Sequence, residues 1–454
     1  MALVESFSGT RGIYGTELTE EDIRKYALVY LEFLKKRSPD KSENKITVVI
    51  GRDTRPSGKA ILNTFLRYLD CNIIELDILP TPIIENAVRE FQADGGIIIS
   101  GSHNEPEYNG IKLLDKDGAI LRPKDIDFVI KRVHEGNFEN NENRKEKGII
   151  NKKREAIQSY KKLLKEILKT NNINSSKILV DPDGGAGISS KDIFDEFGIN
   201  ASYINIKPME FNRLIEPNES SLKYLEKEIK KQGCDFAIGF DCDADRVEVL
   251  LNDGTLVSGN HILALIVEEI ISNSKEKTVI VNDATSYVVK EVTERNQGTF
   301  KEVEVGEINV VDEMLNSNSL ISGEGSNGGV IIFPTRCRDG ILTILFLLKI
   351  ISEKNKSLKE LIKGLPEYYY IKEKVKIKED FLKTRNKIKS YYKNKDFKIQ
   401  ETGDETGGLK ALKENSWVWF RQSKTEDKIL RVIIDSKDKD TAEELLKEAK
   451  KLVE

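Results

Sequence analysis

The strongest chemical signal in the sequence is a run of three aspartates at alternate positions. Asp241, Asp243 and Asp245 directly follow a short apolar run. Their spacing converges carboxylate oxygens, the ligands that hard cations such as Mg²⁺ and Ca²⁺ prefer. An EF-hand calcium loop is excluded, because it requires glycine and glutamate where this run has Arg246 and Asn252. Clustered carboxylates repel one another unless something neutralises them, so the pattern predicts a metal site.

A second polar loop, Ser100–Lys112, contains the parts of an activated nucleophile. Ser102 is followed by His103 and Asn104, and Lys112 stands ten residues further on. A neutral serine is a poor nucleophile and needs such a partner. The loop follows an apolar run, so we expect it at the carboxyl end of a strand, where α/β sheets usually hold ligands. A polar turn in which serine caps the backbone fits the spacing equally well.

Two later loops place polar side chains between glycines or at alternate positions. Glutamate, serine and asparagine between glycines can contact hydroxyl groups while the backbone approaches closely. An arginine followed by alternating hydroxyl side chains can donate several hydrogen bonds to a phosphate. Alone, the first pattern is more typical of a flexible loop, and the second is equally typical of a surface turn. The residues are Glu324, Ser326 and Asn327 in the first loop and Arg421, Ser423, Lys424 and Thr425 in the second.

Smaller segments add to these loops. Ser8–Gly12 places Arg11 in a Gly/Ser loop, and we interpret Gly51–Arg55 as structural. The turn Asp181–Gly187 has the glycines to hold an anion but lacks the spacing of a nucleotide-binding motif.

Apolar runs of strand length alternate with amphipathic stretches of helical length along most of the chain. Ile46–Ile50, Phe236–Phe240 and Val247–Leu251 predict strands, and Glu20–Lys36 and Lys153–Thr170 predict helices. This alternation is typical of α/β domains with mixed or parallel sheets. After residue 366 we expect a different order, with Lys/Glu-rich helices first, then two strands and a final helix, which is an α+β arrangement.

Composition marks three domain boundaries. They are a polar segment at Asn137–Gly148, a turn at Asn252–Gly254, and Pro366 after a Lys-rich helix. At roughly 100–200 residues per domain, a chain of 454 residues has room for four. The predicted domains are 1–148, 149–252, 253–365 and 366–454.

The overall composition excludes several classes of protein. The chain has 72 Lys and Arg against 76 Asp and Glu, a net charge of −4, so it lacks the basic footprint of bulk nucleic-acid binding. The longest apolar stretch, Ile341–Leu348, is far shorter than the ~18 residues of a membrane span. The first residues do not resemble a signal peptide, and the four cysteines are widely spaced. We expect a cytoplasmic protein with neither a nucleic-acid nor a membrane partner.

Taken together and in this order, the four loops resemble those of the α-D-phosphohexomutase superfamily, and of its archaeal members in particular. The specific motifs are Ser-His-Asn…Asn-Gly-x-Lys and Asp-x-Asp-x-Asp-Arg. The resemblance covers nearly the whole chain. It implies three similar mixed-sheet α/β domains plus a C-terminal α+β domain around a central cleft, with one loop from each domain.

The resemblance also implies a role for each candidate residue. Ser102 would carry a phosphoryl group and would bind one Mg²⁺ per chain together with the three aspartates, with a hexose 1,6-bisphosphate as activator. Lys112 would be the general base beside the transferring phosphate. The other implied contacts are Arg11, His103 and Arg246 at that phosphate, Glu324, Ser326, Asn327 and Gly306 at the sugar, and Arg421, Ser423, Lys424 and Thr425 at the non-reacting phosphate.

The implied activity is the interconversion of hexose 6-phosphate and hexose 1-phosphate, as in phosphoglucomutase/phosphomannomutase. Phosphoglucosamine mutase, a catalytically weak sugar-phosphate-binding paralogue and a metal-dependent phosphatase are the alternatives. Glu105, Lys424 and Asp427 depart from the usual family pattern of Pro, Gly and Pro, which motivates the binding paralogue. Small sugar phosphates are the expected partners, and the sequence leaves monomer and homodimer open.

Overall fold

The computed structural model of the chain describes residues 3–40, 45–136, 138, 148–173, 176–423 and 428–453, with only the backbone at Asn327. Lys424 and Thr425 of the predicted phosphate loop lie outside the described residues, as do Asp427 and most of the polar segment 137–148. Contacts group the chain into two compact units. The first unit is Met1–Val257 with Ile331–Lys356, and the second unit is Ser258–Val330 with Ser357–Glu454.

The first unit begins with a seven-stranded mixed sheet. Its strands are β1 (Val4–Ser6), β2 (Gly9–Ile13), β3 (Thr47–Arg52), β4 (Asn72–Ile78), β5 (Gly95–Ile99), β6 (Tyr108–Asp115) and β7 (Ile149–Asn151). They stand in the order β1-β2-β6-β5-β3-β4-β7. The part β5-β3-β4-β7 is parallel, and β1, β2 and β6 pair antiparallel.

Helices pack on this sheet because one stripe of each is apolar. They are α1 (Glu20–Arg37), α2 (Gly58–Tyr68), α3 (Thr81–Glu90), α4 (Pro123–Glu135) and α5 (Lys153–Leu168). The helix α1 packs with α2 and α4, and α3 packs with α5. Thr19 begins α1 through a capping box, in which its side chain accepts from Asp22 N and the Asp22 carboxylate accepts from Thr19 N.

A second mixed sheet completes most of the first unit. Its strands are β8 (Ile178–Asp181), β9 (Ala201–Tyr203), β10 (Phe236–Phe240), β11 (Val247–Leu251) and β12 (Leu256–Val257), in the order β12-β11-β10-β8-β9. The helices are α6 (Ser190–Glu196), α7 (Glu219–Leu222) and α8 (Leu225–Gln232). The predicted strands Phe236–Phe240 and Val247–Leu251 are confirmed at both ends.

The second unit begins with a four-stranded sheet. Its strands are β13 (Thr278–Asn282), β14 (Thr299–Val303), β15 (Ile321–Glu324) and β16 (Gly329–Ile332), in the order β14-β13-β15-β16. The helices are α9 (Gly259–Ser272), α10 (Tyr287–Arg295) and α11 (Glu307–Asn316). The following helix, α12 (Gly340–Lys354), belongs to the first unit, where it packs on α5 and β11.

The C-terminal part of the second unit is an antiparallel sheet with helices, as the predicted α+β arrangement requires. Its elements are α13 (Leu358–Lys363), β17 (Tyr369–Lys376), α14 (Phe381–Lys393), β18 (Lys398–Glu401), β19 (Leu409–Lys413), β20 (Ser416–Gln422), β21 (Ile429–Ser436) and α15 (Lys439–Val453). The sheet order is β17-β21-β20-β19-β18. The fold class of mixed α/β sheets with a C-terminal antiparallel sheet is confirmed.

One prediction for this region is wrong in its order of elements. The region contains three strands besides the two predicted, and one of them, β17, precedes α14. This strand reads Tyr-Tyr-Ile-Lys-Glu-Lys-Val-Lys and lies at an edge of its sheet. Its charged side chains lie at exposed or half-buried positions, so the sequence shows the Lys/Glu composition of a surface helix although the backbone is extended. Within the described residues, no helix is both long enough and apolar enough to cross a membrane.

Candidate active site

The three aspartates lie in a tight loop between two strands of the first unit. β10 is buried along its whole length and pairs antiparallel with β11. The turn that joins them has Ala244 in the left-handed conformation, at φ +54°. One oxygen from each of Asp241, Asp243 and Asp245 lies within 4.8 Å of the others, and each residue is at most 1% exposed. The structure therefore brings together the three predicted metal ligands.

Positive side chains neutralise part of this carboxylate cluster. Lys112 Nζ lies 2.8 Å from Asp243 Oδ2 and 3.3 Å from Asp245 Oδ2. Arg338 Nη2 lies 3.0 Å from Asp245 Oδ2. Thr81 Oγ1 also donates to Asp243 Oδ2, at 2.7 Å. The outer oxygens of the cluster are thus held by protein groups.

The charge balance differs from one aspartate to another. Burial alone would raise the pKa of Asp245, but the charges of Arg338, Lys112 and Arg246 lower it below its ordinary value. Burial and the two neighbouring carboxylates raise the pKa of Asp241 well above its ordinary value. A cation close to Asp241 would oppose that rise.

The donor set fits a hard divalent cation. Asp243 Oδ1 and Asp245 Oδ1 are buried and accept no hydrogen bond from any residue that the structure describes. Buried carboxylate oxygens without donors are costly unless a cation compensates them. The oxygen-only set has neither thiol nor imidazole, and this favours Mg²⁺ over zinc or copper.

Ser102 stands beside this cluster in a strained backbone conformation. Its φ is +50°, in the left-handed region that non-glycine residues seldom adopt. Ser100 Oγ accepts from Ser102 N at 2.8 Å. Ser102 Oγ lies 3.3 Å from Asp241 Oδ2, and the residue is 1% exposed. The predicted nucleophile and the predicted metal ligands are therefore neighbours.

Arg55 holds the loop that contains Ser102 in place. The pattern of the segment Gly51–Arg55 indicates only a structural role and does not predict this contact. Its guanidinium is fully buried and pairs with Asp53 at 3.1 Å. It donates to Ser102 O at 2.8 Å and Tyr108 O at 3.0 Å, and also to the carbonyls of Asn104 and Glu105. The Arg55 side chain thus binds several carbonyls of the loop that carries the predicted nucleophile. The departure at Glu105 lies in this same loop and contributes its carbonyl to the contact.

The other predicted cations of the first unit surround the same cluster. Strand pairing sets Arg11 opposite Gly110, two residues from Lys112 on β6. Arg246 Nε lies 3.8 Å from Asp245 Oδ1 and 4.0 Å from Asp241 Oδ2. The buried Nε atoms of Arg11 and Arg246 donate no hydrogen bond to any residue that the structure describes. Donors are therefore available to an anion at this point.

His103 lies in the field of these cations. The charge of Arg246, then burial and the charge of Arg11, lower the pKa of His103 well below its ordinary value. The imidazole is therefore neutral at pH 7. A neutral imidazole can donate or accept a hydrogen bond, but it adds no charge to the site.

In the second unit, the predicted sugar-contacting residues form a hydrogen-bonded group. Gly306 N donates to Glu324 Oε1 at 3.0 Å, and Gly306 has a φ of +143° that favours glycine. Asn282 Nδ2 donates to Glu324 Oε1 at 3.0 Å and to Ser326 Oγ at 3.1 Å. The structure brings Glu324, Ser326 and Gly306 together, and the side chain of Asn327 lies outside the description.

The predicted phosphate loop lies near this group at the end of β20. Arg421 Nη2 lies 3.0 Å from Glu304 Oε1, and Arg421 and Ser423 are 7% and 5% exposed. Ser423 N donates to Ile429 O at 2.8 Å. The other two candidates of this loop, Lys424 and Thr425, lie outside the described residues.

Sequence reasoning missed Arg338, Thr81 and Asn282. Arg338 stands in Arg-Asp-Gly directly before the apolar helix α12. Two adjacent charged residues, Arg338 and Asp339, beside a buried helix are the signal that could have marked Arg338. Thr81 begins α3 and Asn282 ends β13, and neither position carries such a signal.

Two family models match the chain. The model of phosphoglucomutase/phosphomannomutase alpha/beta/alpha domain I matches residues 5–140, and that of domain III matches residues 258–369. A phosphoglucomutase/phosphomannomutase of Thermococcus kodakarensis is 32% identical over 456 residues, which cover 98% of this chain and 97% of that protein. The chain belongs to the α-D-phosphohexomutase superfamily. It is an isomerase of the phosphohexomutase class.

Other phosphohexomutases also align with nearly the whole chain, and solved structures of this kind have the same fold. The probable phosphoglucosamine mutase of Pyrococcus horikoshii is 29% identical and covers 98% of this chain and 96% of that protein. The crystal structure of a putative phosphomannomutase from Thermus thermophilus superposes with a TM-score of 0.81 at 24% identity, over 100% of this chain and 99% of that one. A phosphoglucomutase/phosphomannomutase family protein from Burkholderia thailandensis superposes with a TM-score of 0.83 at 19% identity, over 98% and 96%. The structural matches support the fold, and the sequence matches support the family.

Proposed function

We propose that this phosphohexomutase interconverts hexose 6-phosphates and hexose 1-phosphates, chiefly of glucose and mannose, through a phosphorylated Ser102. One observation carries the proposal: Ser102 Oγ lies 3.3 Å from Asp241 in a buried cluster of three carboxylates. This position suits Ser102 as the attachment point of a phosphoryl group whose charge a metal compensates.

We assign one Mg²⁺ per chain to Ser102, Asp241, Asp243 and Asp245. When bound, the cation supplies charge neutralisation for the phosphoryl group. Arg11, Arg246 and Lys112 add protein cations beside it, and His103 adds a neutral hydrogen-bonding group. Phosphoryl transfer depends on positioning and on such charge stabilisation more than on covalent work by the protein.

Two transfers complete the proposed reaction. In the first, the bond from phosphorus to Ser102 Oγ breaks as a bond forms to the free hydroxyl oxygen of the sugar monophosphate. The hydroxyl proton passes to a base, and the product is a hexose 1,6-bisphosphate. In the second, the other phosphoryl group returns to Ser102 Oγ, and the sugar oxygen that it leaves takes up a proton. The serine ends as it began, phosphorylated.

Lys112 is our candidate for the base, provided that its ammonium group first loses a proton. Its ammonium donates to Asp243 and Asp245 at 2.8 and 3.3 Å. An ammonium has no lone pair, so Lys112 must lose a proton before it can accept one. As an ammonium, Lys112 pairs its charge with the two aspartates.

We assign recognition of the ligand to the second unit. Glu324, Ser326, Asn327 and the backbone at Gly306 would bind sugar hydroxyls. Arg421 with Ser423, Lys424 and Thr425 would bind the phosphate that does not react. Glu324 accepts from Gly306 N, and Asn282 donates to both Glu324 and Ser326, which supports one common contact surface for the sugar.

A specific observation favours phosphoglucosamine mutase as the second candidate. Proteins named phosphoglucosamine mutase from Methanocaldococcus jannaschii and Clostridium tetani are each 29% identical over 98% of this chain. The phosphoglucomutase/phosphomannomutase of T. kodakarensis is slightly more similar, at 32%, and for this reason we place glucose and mannose first. A cytoplasmic location, a monomer or homodimer, and the four domains 1–148, 149–252, 253–365 and 366–454 complete the proposal.

A substrate panel tests the proposal. The purified protein is primed with glucose 1,6-bisphosphate and Mg²⁺ and is then given the 1-phosphates of glucose, mannose and glucosamine. We expect the 6-phosphate of glucose or mannose to form fastest, with little inorganic phosphate released. Stoichiometric phosphate release would indicate a phosphatase. Thermal stabilisation by the ligands without turnover would indicate a sugar-phosphate-binding paralogue.

A further inference from the structure

Arg421, the arginine of the predicted phosphate loop, is already paired with a carboxylate of the same unit. Arg421 Nη2 lies 3.0 Å from Glu304 Oε1, and Nη1 lies 3.5 Å from Val305 O. The two side chains are 9% and 21% exposed. The pair is therefore partly desolvated, and screening by solvent weakens it less than it would weaken a surface pair.

The guanidinium is not saturated by this contact. Its Nε is buried and has no hydrogen-bond partner among the residues that the structure describes. A guanidinium can present two parallel N–H groups to one carboxylate or phosphate. Glu304 Oε1 contacts the guanidinium at Nη2, so Arg421 keeps donor capacity for a second anion.

Gly403, which has no side chain, leaves room for the Glu304 carboxylate on its other side. Gly403 has a φ of +69°, and a side chain at that position would collide with the Glu304 carboxylate. Glu304 also immediately precedes Val305 and Gly306, and Gly306 N donates to Glu324 Oε1 at 3.0 Å. The carboxylate is thus seated between the phosphate loop and the loop that would contact the sugar.

We propose that Glu304 is a built-in counterion that sets the affinity of Arg421 for the phosphate of the substrate. The inference rests on the proposed function, because it takes Arg421 as the contact of the non-reacting phosphate. In the free protein, Glu304 keeps the guanidinium oriented and partly neutralised. An incoming phosphate has to displace the carboxylate or bind beside it, and in both cases Glu304 weakens phosphate binding. Weaker phosphate binding suits a bisphosphate intermediate, because the intermediate must release one phosphate from Arg421 and bind again through its other phosphate.

The variant Glu304→Gln tests this role, because it keeps the size of the side chain and removes its charge. We expect the KM for glucose 1-phosphate to fall about 5–10-fold, the gain expected when one nearby like charge is removed from a partly screened site. We expect kcat to stay level or fall, because phosphate then leaves more slowly. Calorimetric titration with inorganic phosphate alone should show the same gain in affinity, since the probe has no sugar.

Glu313→Gln is the matched control. Glu313 lies on α11, lines the same pocket of about 380 Å³ as Glu304, and pairs with Lys301 at 3.1 Å. This variant removes one negative charge from the same surface without a contact to Arg421. We expect the affinity for phosphate to stay within about twofold of the wild type, as is usual for exposed pairs.

A double-mutant cycle with Arg421→Gln separates the counterion role of Glu304 from the phosphate site at Arg421 itself. We expect Arg421→Gln to weaken phosphate binding, and Glu304→Gln to bring no gain in that background. If Glu304→Gln leaves the affinity unchanged or lowers it while Arg421→Gln weakens binding, the counterion role is wrong and the phosphate site stands. If Arg421→Gln leaves phosphate binding intact, the phosphate site itself is wrong and the inference falls with it. Trp417 and Trp419, the only tryptophans of the chain, report by fluorescence whether each variant keeps the fold of this unit.

Discussion

The two units prepare their charged side chains in different ways. In the first unit, Asp243 and Asp245 pair with Lys112 and Arg338, yet each keeps one buried oxygen without a donor among the described residues. In the second unit, Glu324 accepts from Asn282 and Gly306. The free carboxylate oxygens of the first unit can bind a cation. In the second unit, the Glu324 oxygen that would contact a ligand already accepts hydrogen bonds from the protein.

This difference indicates a division of labour. Groups that do chemistry are fixed by burial and charge pairing, so that no reorganisation is needed when the reaction occurs. Groups that recognise a ligand exchange one set of hydrogen bonds for another when the ligand binds. Substitutions in the first unit should therefore slow the chemical step and lower kcat, and those in the second unit should act chiefly on ligand binding and release, and so on KM.

The largest effect after loss of the nucleophile is expected at the metal site. Asp243→Asn removes one anionic oxygen ligand and leaves Lys112 without its closest partner. We expect kcat to fall by roughly 10²–10³-fold, since one preorganised charge is worth that much at a transition state. Metal content and activity against Mg²⁺ concentration measure it. Asp253→Asn, in the turn after β11, removes an equal charge from the surface and should leave both unchanged.

Arg55→Lys should have the next largest effect. Lysine keeps the charge beside Asp53 but cannot reach the loop carbonyls with a planar fork. We expect a loss of about 2–4 kcal/mol in the free energy of unfolding, as for damage to a buried charge network. We also expect a fall in kcat of roughly tenfold or more, because Ser102 is no longer fixed. A loss of stability with an unchanged kcat would show that Arg55 supports the fold and does not position the nucleophile.

Asn282→Ala should have a smaller effect, confined to KM. Asn282 bonds Glu324 and Ser326 at 3.0 and 3.1 Å. Its loss removes one hydrogen bond from each of these side chains, and we expect KM to rise roughly 3–10-fold at similar kcat, the value of one or two hydrogen bonds. A matching fall in kcat would contradict the division of labour, because it would give the second unit a part in the chemical step.

The smallest effect concerns pH and leaves the chemistry untouched. Burial raises the pKa of Asp435 to about 7, although it accepts from Tyr287 N and Ser286 Oγ. The ordinary value of 3.8 applies to the unfolded chain, so between these values the folded state binds more protons. This group therefore stabilises the fold most at low pH, and its contribution is lost as pH rises towards 7.

Urea denaturation followed by tryptophan fluorescence measures that contribution. Between pH 5 and pH 6 the Asp435 contribution to the free energy of unfolding should fall by about 1 kcal/mol. In Asp435→Asn this part of the slope should vanish, so the difference between variant and wild type should change with pH. A constant difference from pH 5 to pH 7 would show that Asp435 has an ordinary pKa.

The local sequence pattern predicted those features of the fold and the site that depend only on residues close together in the chain. Alternate aspartates after the apolar run Phe236–Phe240 predicted the strand, the loop and the carboxylate cluster. Arg338 and Arg55 escaped prediction because they meet their partners 93 and 47 positions away in the chain. The strand β17 escaped for another reason, since its lysines and glutamate face solvent at an edge and give it the composition of a helix.

Intact mass of the purified protein tests the central claim most directly, before and after incubation with glucose 1,6-bisphosphate and Mg²⁺. Ser102→Ala is measured in parallel. The account predicts a gain of about 80 Da, one phosphoryl group, in the wild type. It predicts no gain in Ser102→Ala, whose mutase activity should fall by at least roughly 10⁴-fold. A wild type that binds Mg²⁺ but gains no mass, or a Ser102→Ala variant that gains it, would contradict the assignment of Ser102 as the phosphoryl carrier.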